Sequence, residues 1–208
     1  ISNSTPTRND EVRSLLYAEN PFVAGWTDSL PNAGTGHAGD DLIQGIRLAS
    51  IIQWVELAHG LPATNCHPRI YYRPRFRPDL VGIVLVDPRS TSQAFPRDRF
   101  EWFVDRLGFP RDQLRVVFSQ HSGPHGVDAL SRCARIEAAS LHDYIDMIYS
   151  CLAYVGTESG GSALASAIRQ DGSSPEIYAL TTTKNWNQRV YVFPNVTYAV
   201  VSGLQRDW

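Results

Sequence analysis

Four clusters of residues combine types and spacings that chemistry uses. The first is Gly156-Thr-Glu-Ser-Gly-Gly-Ser162, between an apolar run and a helical one. Adjacent glycines, Gly160 and Gly161, let a backbone approach a ligand closely. Free N–H groups at the start of the following helix favour an anion, and Ser159 and Ser162 add hydroxyl donors. Together they suit a phosphate or diphosphate; the alternative is that Gly-Gly-Ser simply starts a tightly packed helix. The second cluster, Asp87-Pro-Arg-Ser-Thr-Ser-Gln93, also follows an apolar run. There Arg89 can clamp a phosphate with Ser90, Thr91 and Ser92 as donors, or the segment is a solvated turn.

The third cluster is His121-Ser-Gly-Pro-His125 with Asp128 nearby. Histidines at i and i+4 share a metal only on a helix, and Gly123 and Pro124 forbid one. A serine hydrolase built on Ser122 or Ser162 lacks the Gly-x-Ser-x-Gly elbow. A polar loop is the simpler reading. The fourth is Gly34-Thr-Gly-His-Ala-Gly-Asp-Asp41. Its glycines miss the dinucleotide spacing, and there is no Walker lysine. Asp40 at a helix start is either a cap or a general base facing a crevice.

The elements that must position these clusters follow from periodicity. Val81–Asp87 reads as a strand covered on both faces. Pro96 opens a helix whose Phe100, Phe103, Val104 and Leu107 share a face, closed by Gly108 and Pro110. Leu114–Phe118 is a strand, a loop spans 121–126, and a short helix runs to about Cys133. Ala134–Ala138 is a third strand. Ser140 caps a helix over Leu141–Ser150. Leu152–Val155 is a strand, 156–162 a loop and Ala163–Arg169 a helix. Strands at Glu176–Leu180 and Val196–Val201 follow. Strand, loop and helix in alternation predict an α/β fold: a doubly wound, Rossmann-like parallel sheet over residues 80–208.

Residues 1–66 form a reduced N-terminal α/β region. A helix is expected over Asn9–Ala18, a strand at Phe22–Trp26, and a long amphipathic helix from Asp40 to His59 on which Leu42, Ile46, Ala49, Ile52 and Val55 are in register. Residues 67–79 alternate arginine with aromatics among three prolines. Such a mixture grips single-stranded nucleic acid, but a proline-stiffened linker suits the chain's charge balance better.

The chain has 208 residues, 43% hydrophobic and 19% charged, with a net charge of −2. That excludes a disordered chain or a coiled coil and argues against a general attraction to nucleic acid. No apolar run is long enough to span a membrane. Three scattered cysteines fit free thiols in a reducing, cytoplasmic compartment. The sequons at Asn3 and Asn195 match a pattern short enough to arise by chance. Lys184 is the only lysine, a skew that genomic base composition alone produces. The chain opens at Ile1 and its single methionine is Met147, so a processed or partial chain is the expectation.

In order, these pieces resemble the C-terminal half of the heptosyltransferase-like glycosyltransferases (glycosyltransferase family 9, GT-B fold). The resemblance rests on Val81–Asp87, Arg89–Gln93, Phe95-Pro96 with Phe100, the block from Ser140 to Ile168, and Ile177–Leu180 with Thr181–Thr183. Asn20-Pro21 before Phe22-Val23 resembles a strand near the end of the family's N-terminal half. Departures are equally plain. Glu158 stands where the family has aspartate, Ala163 where it has histidine, and Arg89 is the nearest cation to a missing lysine. The resemblance implies binding of a nucleotide-diphosphate sugar and inverting transfer to a glycan or other hydroxyl acceptor. It implies donor contacts from Arg89, Ser90, Thr91, Ser92, Glu158, Ser159, Gly160, Gly161 and Ser162, with no cofactor and no metal. Asp40 is the candidate base, and a further N-terminal domain or a partner chain is expected. The alternative is a non-catalytic nucleotide- or sugar-binding protein, or a partner protein, on the same scaffold.

Overall fold

The computed structural model describes residues 62–88, 97–118, 130–168, 176–188 and 192–202, together with positions 14, 20, 21, 52, 53, 56, 60 and 95. Within these residues six strands form one all-parallel sheet. They are β1 (Val84–Asp87), β2 (Leu114–Phe118), β3 (Ala134–Glu137), β4 (Ala153–Thr157), β5 (Glu176–Thr182) and β6 (Thr197–Val201), in spatial order β3-β2-β1-β4-β5-β6. This order is the doubly wound one. The chain winds outward from β1 to one edge, returns to lay β4 on the other side of β1, and winds outward again.

Burial follows position in the sheet. Central β1 is buried at all four residues, whereas three of the four residues of edge strand β3 are exposed. Alternation along the central strands feeds two cores. Val84, Val86, Ala153 and Val155 meet Phe100, Phe103 and Val104 of α1 (Arg97–Leu107) on one face. Leu85 and Tyr154 meet Tyr144, Met147 and Ile148 of α2 (Leu141–Ser150) and Ala165 of α3 (Gly160–Ile168) on the other. A strand buried on both sides cannot alternate polar and apolar residues, which is why Val-Leu-Val is continuous.

Local signals end these helices where the residues demand it. Gly108 takes φ +72° just beyond α1, a conformation that costs a glycine little. Ser140 caps α2: its hydroxyl accepts from the Asp143 N–H at 3.0 Å. Several boundaries depart from the sequence reading. Strand β1 begins at Val84 and not at Val81, because Val81 and Gly82 form a turn. Residues 130–133 are a turn and not the end of a helix, closed by the Cys133 N–H on the Leu130 carbonyl. Strand β4 runs on through Gly156 and Thr157, and α3 begins three residues early. Strand β5 continues to Thr182 and leads directly into α4 (Thr183–Gln188).

The arginine- and proline-rich stretch is a strap laid along α2. The Tyr72 hydroxyl and the Arg75 N–H both donate to Asp146 Oδ1, at 3.0 and 2.8 Å. The Arg77 N–H donates to Ser150 Oγ at 2.7 Å, and its guanidinium bridges Asp79 and Asp143. Asp79 holds the Arg77 guanidinium above its ordinary pKa, and Arg77 in turn holds Asp79 below its own. Tyr72 meets His142 edge-on. Ahead of the strap, Ile52 packs against the α2/α3 core, as its register predicts. The other expectations for the N-terminal region, including the strand at Phe22–Trp26, lie outside the described residues.

Asp146 is buried and gathers two donors from the strap. Asp146→Ala is expected to cost about 1–3 kcal/mol of unfolding free energy, read by urea denaturation, and Asp146→Asn less. A second test concerns alkali. Burial, and then the Glu176 carboxylate that accepts its hydroxyl, push the Tyr178 phenol up to about 12 from 10.0. Stability tied to a raised phenol is complete below its ordinary pKa and is lost as pH climbs through the folded one. Thermal melting is therefore expected to fall between pH 10 and about 12, and Tyr178→Phe to flatten part of that decline.

Candidate functional site

Strand order reverses between β1 and β4, and ligands of open α/β sheets settle beyond the carboxyl ends of strands at such a point. Asp87 ends β1 in register with Gly156 of β4. The segment leaving β1 therefore begins beside the turn that leaves β4. That turn is only Glu158 and Ser159, and α3 rises from it at Gly160.

The turn is built from its own hydroxyls. The Ser159 N–H donates to Ser162 Oγ at 3.1 Å, and the Ser162 hydroxyl donates back to the Ser159 carbonyl at 2.9 Å. This is one half of a capping box, with serine in place of glutamate. The Ser159 hydroxyl donates to the Thr157 carbonyl at 3.2 Å. Ser162 is fully buried, which removes it as an exposed hydrolytic nucleophile. Ser122 lies outside the described residues.

Glu158 is buried as well. Its N–H donates to the Leu180 carbonyl at 2.9 Å, and its carboxylate accepts from the Thr181 hydroxyl. Both contacts tie the end of β4 to β5. The Glu158 charge, after burial itself, also helps hold the Tyr198 phenol above its ordinary pKa. Tyr198 in turn packs on Trp186 of α4 and accepts from the Phe193 N–H at 3.0 Å.

The glycines divide by role. Gly160 is exposed, and among the described residues a Cβ there meets nothing within 4 Å, so its backbone is open to close approach. Gly161 is different. A Cβ there collides with the Tyr154 hydroxyl, lies 2.6 Å from that of Tyr144 and 3.3 Å from Asp87 Oδ2. The Gly-Gly pair is thus half open backbone and half packing requirement. Below it the Tyr144 hydroxyl donates to Asp87 Oδ2 at 2.6 Å and lies 3.0 Å from the Tyr154 hydroxyl. Sequence reasoning missed this cluster, because its members are scattered over seventy-odd positions with no local pattern.

Of the expected donor contacts, the structure brings Glu158, Ser159, Gly160, Gly161 and Ser162 together at the end of β4. Arg89, Ser90, Thr91, Ser92 and Asp40 lie outside the described residues, as does the His121–Asp128 cluster. Among the described residues no helix is long and apolar enough to cross a membrane.

No protein-family model matches the chain, and no curated protein matches it in sequence. Solved structures do match. TibC, a dodecameric iron-containing heptosyltransferase from enterotoxigenic E. coli H10407 solved with ADP-D-beta-D-heptose, aligns over 96% of this chain at 15% identity and a TM-score of 0.53. At the level of fold the chain resembles a heptosyltransferase. A glycosyl transferase of family 9 from Veillonella parvula DSM 2008 aligns over 90% of the chain at 16% identity, TM-score 0.45. The E. coli heptosyltransferase WaaC, solved with ADP-2-deoxy-2-fluoro heptose, aligns over 71% at 11% identity, TM-score 0.46. Coverage of those chains is 54%, 54% and 47%, so this chain spans about half their length.

Thr181→Val removes a donor from the buried Glu158 carboxylate. It is expected to destabilise the chain by about 1–3 kcal/mol in chemical denaturation, with Thr181→Ser close to the parent.

Proposed function

We propose that the chain binds a nucleotide-diphosphate sugar in the crevice beyond β1 and β4 and passes the sugar to a hydroxyl acceptor. One observation carries the reading: the strand reversal sets the exit of β1 beside the N-terminus of α3, in a fold shared with TibC. The N–H groups of Gly160, Gly161 and Ser162, which open α3, have no acceptor inside their own helix. They supply donors and positive potential for the diphosphate, with Gly160 giving access and Ser159 a nearby hydroxyl. Arg89, with Ser90, Thr91 and Ser92, adds a charged fork and hydroxyls from the segment after β1. Glu158 and Ser162 act from beneath, by fixing the turn.

In this reading residues 80–208 are the donor-binding unit of a GT-B arrangement, 67–79 the strap, and 1–66 a reduced acceptor-side region. Inverting transfer needs a base to take the acceptor's proton as its oxygen attacks the anomeric carbon and the nucleoside diphosphate departs. Asp40 is the candidate for that base. All three cysteines are free, in keeping with a reducing cytoplasm.

A second reading is favoured by Ala163, which stands on the first turn of α3 where the resembling family carries histidine. A scaffold without that imidazole suits a protein that binds the nucleotide sugar without turning it over. Calorimetric titration with a panel of nucleoside diphosphates, followed by sugar-donor hydrolysis, separates the readings. Binding with turnover supports transfer, and binding alone supports the second reading. No binding by any nucleoside diphosphate overturns both. Arg89→Ala is expected to weaken nucleoside diphosphate binding about tenfold, or ~1.4 kcal/mol, and to reduce its dependence on salt.

A further inference from the structure

We infer that Asp87, Tyr144 and Tyr154 are positioning residues that set where the first turn of α3 stands in the crevice. The inference rests on the donor reading for its functional meaning and on packing for its substance. Tyr154 is fully buried on β4, and the outer end of its ring lies against Gly156, two residues along the strand. A Cβ at Gly156 sits 2.8 Å from its hydroxyl, and the same hydroxyl fills the space that a Cβ at Gly161 needs. One tyrosine therefore dictates glycine both at the end of the strand and at the start of the helix.

The hydroxyl is held from behind. Tyr144, on α2, donates to Asp87 Oδ2 and meets Tyr154 Oη. Asp87 ends β1, the other strand of the crevice. The cluster so joins β1, α2, β4 and α3 at one buried point. A hydroxyl–carboxylate cluster in a low-dielectric interior is geometrically demanding, and here its demand falls on the turn with the open N–H groups.

Hydrogen–deuterium exchange of the ligand-free chain tests this. Gly161→Ala is expected to raise exchange at the Ala163–Ala165 amides about fivefold or more, with β1 and β2 peptides unchanged as the control for the fold. Adding Tyr144→Phe and Tyr154→Phe takes both hydroxyls out of the path of the new Cβ. Exchange is then expected to return to within about twofold of the Tyr144→Phe, Tyr154→Phe background. Unchanged exchange in Gly161→Ala, or no recovery in the triple variant, overturns the inference. Should Gly161→Ala not fold, Tyr144→Phe carries the test: it is expected to speed exchange at the same amides, and parental rates overturn the role. Titration of the same proteins with ADP and with adenosine reads function. A loss confined to ADP in Gly161→Ala and recovered in the triple variant is expected. An ADP loss without recovery counts against the role. If the parent binds neither compound while the exchange pattern holds, the donor reading fails and the positioning role stands.

Discussion

Tyr154 cannot move without disturbing both halves of the sheet. It lies on β4, next to the strand where the winding begins, and is wholly enclosed. A large polar-tipped side chain in such a place needs room for its ring and a partner for its hydroxyl. Gly156 and Gly161 give the room, and Tyr144 gives the partner. The residue types at three other positions thus follow from one ring. The same ring explains why the strand carries, at position 156, a glycine that reads in isolation as a turn former.

The strap solves a different problem. Helix α2 carries Asp143, Asp146 and Ser150, and the last two are buried. Buried polar groups need partners. The strap supplies them from its own backbone, the N–H groups of Arg75 and Arg77, and from the Tyr72 hydroxyl. Prolines at 68, 74 and 78 suit a segment that runs extended and directs its remaining N–H groups sideways. Arg69, Arg73 and Arg75 are exposed residues, while Arg77 closes onto carboxylates.

Much of the fold was legible because it rests on local periodicity. Leu114–Phe118 and Leu141–Ser150 fall where apolar spacing and a serine cap place them. Fold class followed from the alternation of such pieces. Boundaries near the crevice were less legible. Gly156, Gly160 and Gly161 argue locally for a loop, yet pairing of Gly156 with Ala179 and Asp87 extends the strand. Tertiary packing overrode propensity there. The tying role of Glu158 was also hidden, since Thr181 is 23 positions away. Asp146 was invisible for the same reason, its donors lying 71 and 74 positions earlier.

One feature at the periphery bears on how the chain behaves among its copies. Strand β3 ends the sheet with only four residues, and among the described residues no strand pairs with its outer side. A bare edge of this kind is a template for a foreign strand, and proteins blunt it with short length and charge. Arg135 and Glu137 do this here, one of each sign on the same face. An approaching identical strand in parallel register sets arginine against arginine and glutamate against glutamate, so like charges oppose its stacking. An edge two strands removed from the crevice thereby resists pairing with its own copies.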